Sequence, residues 1–180
     1  MQVQNTPLEG LKVIHPRVFN DPRGYFYESY NQETFRAAGL DLYFVQDNQS
    51  LSQRGVLRGL HLQNPPFAQG KLVRVIAGSV LDVVVDVRRA SSTYGQSYTH
   101  ELNGDNKTML WIPPGFAHGF LTLENDTVFS YKCTAVYNKE SERGIRWNDP
   151  ALKIDWGIAD PLVSDKDLEL PPFADFESLF

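Results

Sequence analysis

Four stretches place a proton-handling or charged side chain among apolar residues and glycine. They are Arg54-Gly-Val-Leu-Arg58-Gly-Leu-His61-Leu-Gln63, Gly70-Lys71-Leu-Val-Arg74-Val, Trp111-Ile-Pro-Pro-Gly-Phe-Ala-His118-Gly-Phe120 and Val128-Phe-Ser-Tyr131-Lys132-Cys133. An imidazole takes and releases protons near neutrality, a phenol donates one, and an ammonium or guanidinium steadies negative charge on oxygen. Gathered in one pocket, His61, Lys71 and Tyr131 suit proton transfer beside a carbonyl. A half-buried strand with one wet face accounts for Arg74 and Lys132 equally well. It accounts less well for His61, which Leu60 and Leu62 flank. Taken alone, His61 reads as readily as a satisfied structural histidine as a catalytic one.

These residues need strands to position them. Runs rich in Val, Leu, Phe and Tyr cover Lys12–Phe19, Tyr25–Tyr30, Tyr43–Gln49, Val56–Gln63, Leu72–Ile76, Val80–Val87, Ser97–Leu102, Thr108–Ile112, His118–Leu123 and Thr127–Val136. Breaks of Gly, Pro, Asn or Asp recur about every ten residues, a rhythm that predicts an all-β sandwich or barrel. Ala77-Gly78-Ser79, between two apolar runs, reads as a tight hairpin turn. Two short helices are expected, one capped by Asn31 and stopped by Gly39, one capped by Ser164. Strict alternation puts Leu57, Gly59 and His61 on one face and Arg58 on the other. Arg58 and His61 share a pocket only if the strand bulges, and Gly59 is where a bulge costs least.

The chain has 180 residues, enough for one domain with its own core, and that single domain is expected to span it. No apolar run is long enough to cross a membrane, and the N-terminal segment lacks the basic start and apolar stretch of a secretory signal. The lone Cys133 allows no internal disulfide, which reads as a cytoplasmic protein. A net charge of −5 argues against nucleic-acid binding. Residues 149–180 hold eight Asp and Glu against two Lys, so an anionic substrate must be bound by particular Arg and Lys side chains. The apolar Trp156, Leu162, Phe173 and Phe176 in this acidic tail predict that it wraps the barrel.

Gly55-x5-His61 and Pro113-x-Gly115-x-x-His118 together resemble the two short motifs of the cupin superfamily of small jelly-roll barrels. Metal-binding cupins use two His and a Glu from the first motif and one His from the second. Here Gln63 takes a His position and Lys71 is nearest the Glu position, so no metal is expected. Longer runs narrow the resemblance. Asp21-Pro-Arg-Gly-Tyr-Phe-Tyr-Glu28-Ser-Tyr, Phe44-Val-Gln46-Asp47-Asn48, Val56-Leu-Arg58-Gly-Leu-His61, Gln69-Gly-Lys71-Leu-Val-Arg, Leu110-Trp-Ile-Pro-Pro-Gly-Phe-Ala-His118-Gly-Phe and Arg146-Trp-Asn-Asp-Pro resemble the dTDP-4-dehydrorhamnose 3,5-epimerase family, in the family's order, from about Leu11 to Asp167.

The resemblance implies a cofactor-free jelly-roll isomerase, a homodimer, that converts dTDP-4-dehydro-6-deoxy-D-glucose into dTDP-4-dehydro-L-rhamnose. It implies His61 as general base with Asp167 orienting its ring, Asp82 being a second possible partner. It makes Tyr131 the acid for carbon 5, and Lys71 with Arg58 the charges that steady the enolate. His118 matches a substrate contact. Arg23 and Arg58 match the phosphate-binding positions, and Tyr137 the aromatic that stacks on thymine, with Phe19 and Phe26 as further walls. Glu28, Gln46, Asp47, Asn48, Glu142 and Lys166 match polar substrate contacts, although Glu140 lies close to Glu142 in the chain. Arg23 and Glu28 are the residues expected to act across the dimer interface. Without the resemblance, Tyr131 reads as one more core aromatic, Lys71 as a solvated strand end, His118 as a packed turn histidine and Arg23 as part of a polar turn.

Three other functions fit parts of this pattern. An epimerase confined to carbon 3, or a ketoisomerase, needs no acid for carbon 5, and Tyr131 argues against both. A sugar-nucleotide-binding cupin without catalysis needs none of His61, Lys71 and Tyr131. A metal-dependent cupin is disfavoured by Gln63 and Lys71.

Overall fold

In the computed structural model, which describes residues 1–180, the β-branched and aromatic runs become fourteen short strands divided mainly between two sheets. The first half of the chain gives β1 (Gln2–Asn5), β2 (Lys12–His15), β3 (Phe19–Asp21), β4 (Gly24–Phe26), helix α1 (Gln32–Ala37), β5 (Gln46–Ser52), β6 (Val56–Gln63), β7 (Lys71–Ala77) and β8 (Ser79–Asp86). The second half gives β9 (Ser97–Asn103), β10 (Met109–Ile112), β11 (Phe116–Thr122), β12 (Thr127–Cys133), β13 (Glu142–Gly144), β14 (Leu162–Val163) and helix α2 (Asp165–Leu168).

One sheet runs β1-β2-β10-β7-β12-β5 and the other β13-β6-β11-β8-β9, with β14 parallel to β6 at its outer edge. From β7 onward the chain passes repeatedly between the sheets, which makes a jelly roll. The inner faces meet in a core that includes Val73, Val75, Leu110 and Phe129 from one sheet and Val80, Val84, Phe116 and Phe120 from the other. Fully burying one such side chain contributes roughly 1.5–3 kcal/mol. The outer face of the second sheet is apolar too, at Leu57, Leu60, Leu62, Val83 and Val85, and the tail covers it with Leu152, Trp156 and Phe176. This apolar second face is why the acidic tail folds back. On the far side, Phe35 of α1 packs with Leu72, Met109 and Trp111.

Both helix starts are as the sequence predicts. Asn31 Oδ1 accepts from the amides of Glu33 and Thr34, and Ser164 Oγ accepts from the amide of Asp167. Ala77-Gly78-Ser79 is different from expectation. β7 and β8 belong to different sheets, so Gly78 turns a corner between layers and closes no hairpin. An apolar–Gly–apolar pattern looks the same in both cases. The corner needs glycine because its φ is +77° and an added Cβ would lie 2.2 Å from Thr127 Oγ1. The aromatic run after Asp21 makes only the short β3–β4 hairpin, and Phe19, Tyr25 and Phe26 stand exposed on it. No helix is long and apolar enough to cross a membrane.

Candidate active site

The bulge that a shared pocket requires is present. β11 pairs with β6 at Phe120↔Arg58 and again at His118↔His61, so β6 carries one residue more than its partner between those points. Gly59 sits in the bulge at φ +121°, where an added Cβ would lie 2.5 Å from the Cα of Gly119. Only glycine on both strands permits this approach. With the extra residue absorbed, Arg58 and His61 both line one cavity of about 580 Å³, together with Lys71, His118, Phe120, Phe129, Tyr131, Lys166 and Asp167.

His61 Nε2 donates to Asp167 Oδ1 at 2.7 Å, which leaves Nδ1 as the nitrogen available to the cavity. The other Asp167 oxygen accepts from the Gly59 amide at 3.1 Å, so the bulge also anchors the carboxylate. Burial works to raise the Asp167 carboxyl, but the bonds from His61 and Gly59 outweigh it and hold it below the usual range. Asp82 belongs to a different histidine. His118 Nε2 donates to Asp82 Oδ2 at 2.9 Å in the barrel floor, and Asp82 Oδ1 is buried with no partner.

Lys71 reaches only the His61 carbonyl, at 3.5 Å, and no carboxylate lies within ion-pairing distance of it. Burial pushes its ammonium down in pKa, with the Cys133, Asp82 and Glu142 charges pulling it back. Tyr131 is on the opposite sheet from His61 and faces the same cavity. Burial, and then the Cys133 thiol, raise its phenol, while Arg58 pulls the other way, so Tyr131 keeps its proton at neutral pH. Phe129 stacks on Phe120 with ring centroids 4.2 Å apart and closes the floor beside His118 and Tyr131.

A smaller cavity, also lined by His61, Lys71 and Tyr131, extends toward Tyr137 and Glu142. Glu142 Oε2 accepts from the Tyr137 hydroxyl at 2.8 Å and pairs with Lys166 at 2.7 Å. Burial favours a higher pKa for Glu142, but those two bonds hold it below the usual range. Glu140 is not part of this network: its carbonyl accepts from Arg143.

Not every candidate lies near His61. Gln46 and Asn48 point inward on β5, where Gln46 Nε2 donates to Asn48 Oδ1 and Asn48 Nδ2 lies 3.6 Å from Cys133 Sγ. Asp47 between them points outward and pairs with Lys132, away from the cavity. Arg23 sits at the tip of the β3–β4 hairpin, its side chain 89% exposed and paired with Asp21. Phe26 and Glu28 line a separate cavity of about 400 Å³ beside Phe19 and Phe35. The donor set does not fit a metal ion. Gln63 is committed to main-chain groups, Lys71 stands where a carboxylate ligand would be needed, and no group of three His, Cys, Asp or Glu converges.

Sequence reasoning missed three features. The Asp82–His118 pair was visible only as a spare carboxylate, and the Lys166–Glu142 pair depends on how the tail folds back. From sequence alone Gln63 stands out only as a missing metal ligand.

A jelly roll with a histidine-lined cavity between its sheets is of the cupin type. The sequence matches the family model described as dTDP-4-dehydrorhamnose 3,5-epimerase over residues 5–175. It is 51% identical over 177 residues to the dTDP-4-dehydrorhamnose 3,5-epimerase of Pseudomonas aeruginosa, and 97% of each chain is covered. The epimerase of the same description from Shigella flexneri is 48% identical over 176 residues, again covering 97% of each chain. A dTDP-6-deoxy-D-glucose-3,5-epimerase from Legionella pneumophila, solved in complex with dTDP-4-keto-L-rhamnose, superposes with a TM-score of 0.93 at 46% identity, covering 98% of this chain and 94% of its own. The chain belongs to the dTDP-4-dehydrorhamnose 3,5-epimerase family.

Proposed function

We propose that this chain inverts carbons 3 and 5 of dTDP-4-dehydro-6-deoxy-D-glucose to give dTDP-4-dehydro-L-rhamnose, without metal or organic cofactor, in dTDP-L-rhamnose biosynthesis in the cytoplasm. Both carbons flank the C4 ketone, so one carbonyl acidifies both C–H bonds. His61 Nδ1 removes a proton from one face, and the C–H electron pair moves into the enolate with charge on the C4 oxygen. Lys71 and Arg58 steady that oxygen. Tyr131 returns a proton to carbon 5 from the other face, water in the cavity supplies the proton returned to carbon 3, and exchange with solvent restores the phenol and the imidazole.

The observation that carries this reading is the 2.7 Å His61–Asp167 bond beside a cavity that Tyr131 lines from the opposite sheet. Arg58 and Arg23 bind the two phosphates, Tyr137 stacks on the thymine, and His118, Gln46, Asn48, Glu142 and Lys166 contact the remaining polar groups. Arg23, Phe26 and Glu28 lie outside the His61 cavity of their own chain, on and beside an exposed hairpin. In this reading they complete the site of a second copy in a homodimer, each copy being one cupin-like domain.

The test is incubation with the 4-keto sugar nucleotide in heavy water, with both carbons read by NMR. Deuterium is expected at carbons 3 and 5 with inverted product. Exchange at carbon 3 alone would move the chain to the single-site epimerases, and no exchange at either carbon would leave only sugar-nucleotide binding.

A further inference from the structure

Beyond Cys133 the chain leaves the regular ladder of β12, yet this is the segment that presents Tyr137. Its backbone is held by side-chain amides from other strands. Gln63, on β6, donates through Nε2 to the carbonyls of Phe67 at 2.7 Å and Val136 at 3.1 Å, and its Oε1 accepts from the Asn138 amide at 2.7 Å. Gln46, on β5, accepts from the Tyr137 amide at 2.7 Å. Three consecutive residues, Val136 to Asn138, are therefore fixed by two glutamines from opposite sheets.

Gln63 is only 4% exposed, and its amide uses both donor hydrogens and its acceptor oxygen on main-chain groups. A buried amide so completely committed fixes geometry, because no other side chain of similar length offers two donors and one acceptor in this arrangement. Glutamate keeps the acceptor and loses both donors. Methionine keeps the length and loses all three bonds.

We infer that Gln63 is a positioning residue for nucleotide recognition: it holds Val136 and Asn138 so that the Tyr137 ring stands at the cavity mouth, ready to stack on a nucleobase. The inference rests on the reading of Tyr137 as the thymine platform. It also gives the strand position that would carry a metal ligand in other barrels of this shape a different task, that of shaping the entrance.

The experiment is a titration of dTDP alone into wild type, Gln63→Met, Tyr137→Ala and the double variant, followed by steady-state kinetics. Gln63→Met is expected to weaken dTDP about tenfold, the loss of one well-made set of buried hydrogen bonds. KM should rise by a similar factor while kcat stays within about threefold of wild type. In the Tyr137→Ala background the same substitution should add less than about twofold, because its effect passes through the ring. Wild-type affinity in Gln63→Met, or full additivity in the double variant, would overturn the inference. Unchanged dTDP affinity in Tyr137→Ala would overturn it by a different route, through failure of the platform reading itself. Should Gln63→Met not fold, Gln63→Glu carries the same comparison, with at least as large a loss expected from a buried charge facing two carbonyls.

Discussion

Two histidine–aspartate pairs face one cavity, and they are built differently. His61–Asp167 joins β6 to α2 across 106 positions of sequence, with the imidazole 29% exposed at the edge of the barrel. His118–Asp82 joins the neighbouring strands β11 and β8 in the floor, with the imidazole 7% exposed and the carboxylate fully buried. In both, Nε2 is engaged by the carboxylate, which leaves Nδ1 as the free ring nitrogen. The first pair leaves its imidazole in contact with solvent, and its carboxylate has both oxygens satisfied. The second is locked into the sheet and leaves Asp82 Oδ1 without a partner. Similar chemistry at two depths gives one imidazole open to solvent and another fixed in the sheet, and the proposed roles of base and substrate contact follow that difference.

The largest effect should come from His61→Asn, which removes the proposed base and should lower deuterium exchange at both carbons by about a thousandfold. The same change at His118 should raise KM with a smaller loss in kcat, and equal losses at the two histidines would abolish the distinction between the pairs. Asp167→Asn should cost roughly a hundredfold in kcat/KM, because the amide no longer fixes the tautomer or the ring. Asp82→Asn should cost about tenfold, mostly in KM, consistent with one hydrogen bond to a contact residue.

The smallest effect concerns acid. Asp167 has a folded-state pKa below its unfolded value, so its stabilisation is fully present above about pH 4 and lost as pH falls through the lower folded value. Chemical denaturation across that range should show the stability gap between wild type and Asp167→Asn closing on the acid side. A gap that stays constant down to pH 2 would mean that the carboxylate contributes nothing through its charge.

Much of this was legible in the sequence, for physical reasons. Alternation and turn chemistry exposed the strands. The conflict between Arg58 and His61 on a regular strand pointed to the bulge at Gly59, and the apolar residues of an acidic tail showed that it had to cover something. Other features had no local signal. Whether Gly78 closes a hairpin or turns a corner depends on which strands pair, and apolar runs on either side fit both. Asp82 and Asp167 were equally plausible partners for His61 until the tail was folded back through β14 and α2. Gln63 was conspicuous for what it is not, since its three main-chain partners lie four and more than seventy residues away. The outward turn of Asp47 follows from simple alternation with Gln46 and Asn48, which a motif match alone does not weigh.

The central claim is that a base on one sheet and an acid on the other act on the same enolised sugar. Position-resolved deuterium incorporation by Tyr131→Phe tests it most directly. Exchange at carbon 3 at close to the wild-type rate, with inversion at carbon 5 lost, is the predicted result. Full inversion at both carbons by that variant would contradict the account, because the phenol would then have no part in the chemistry.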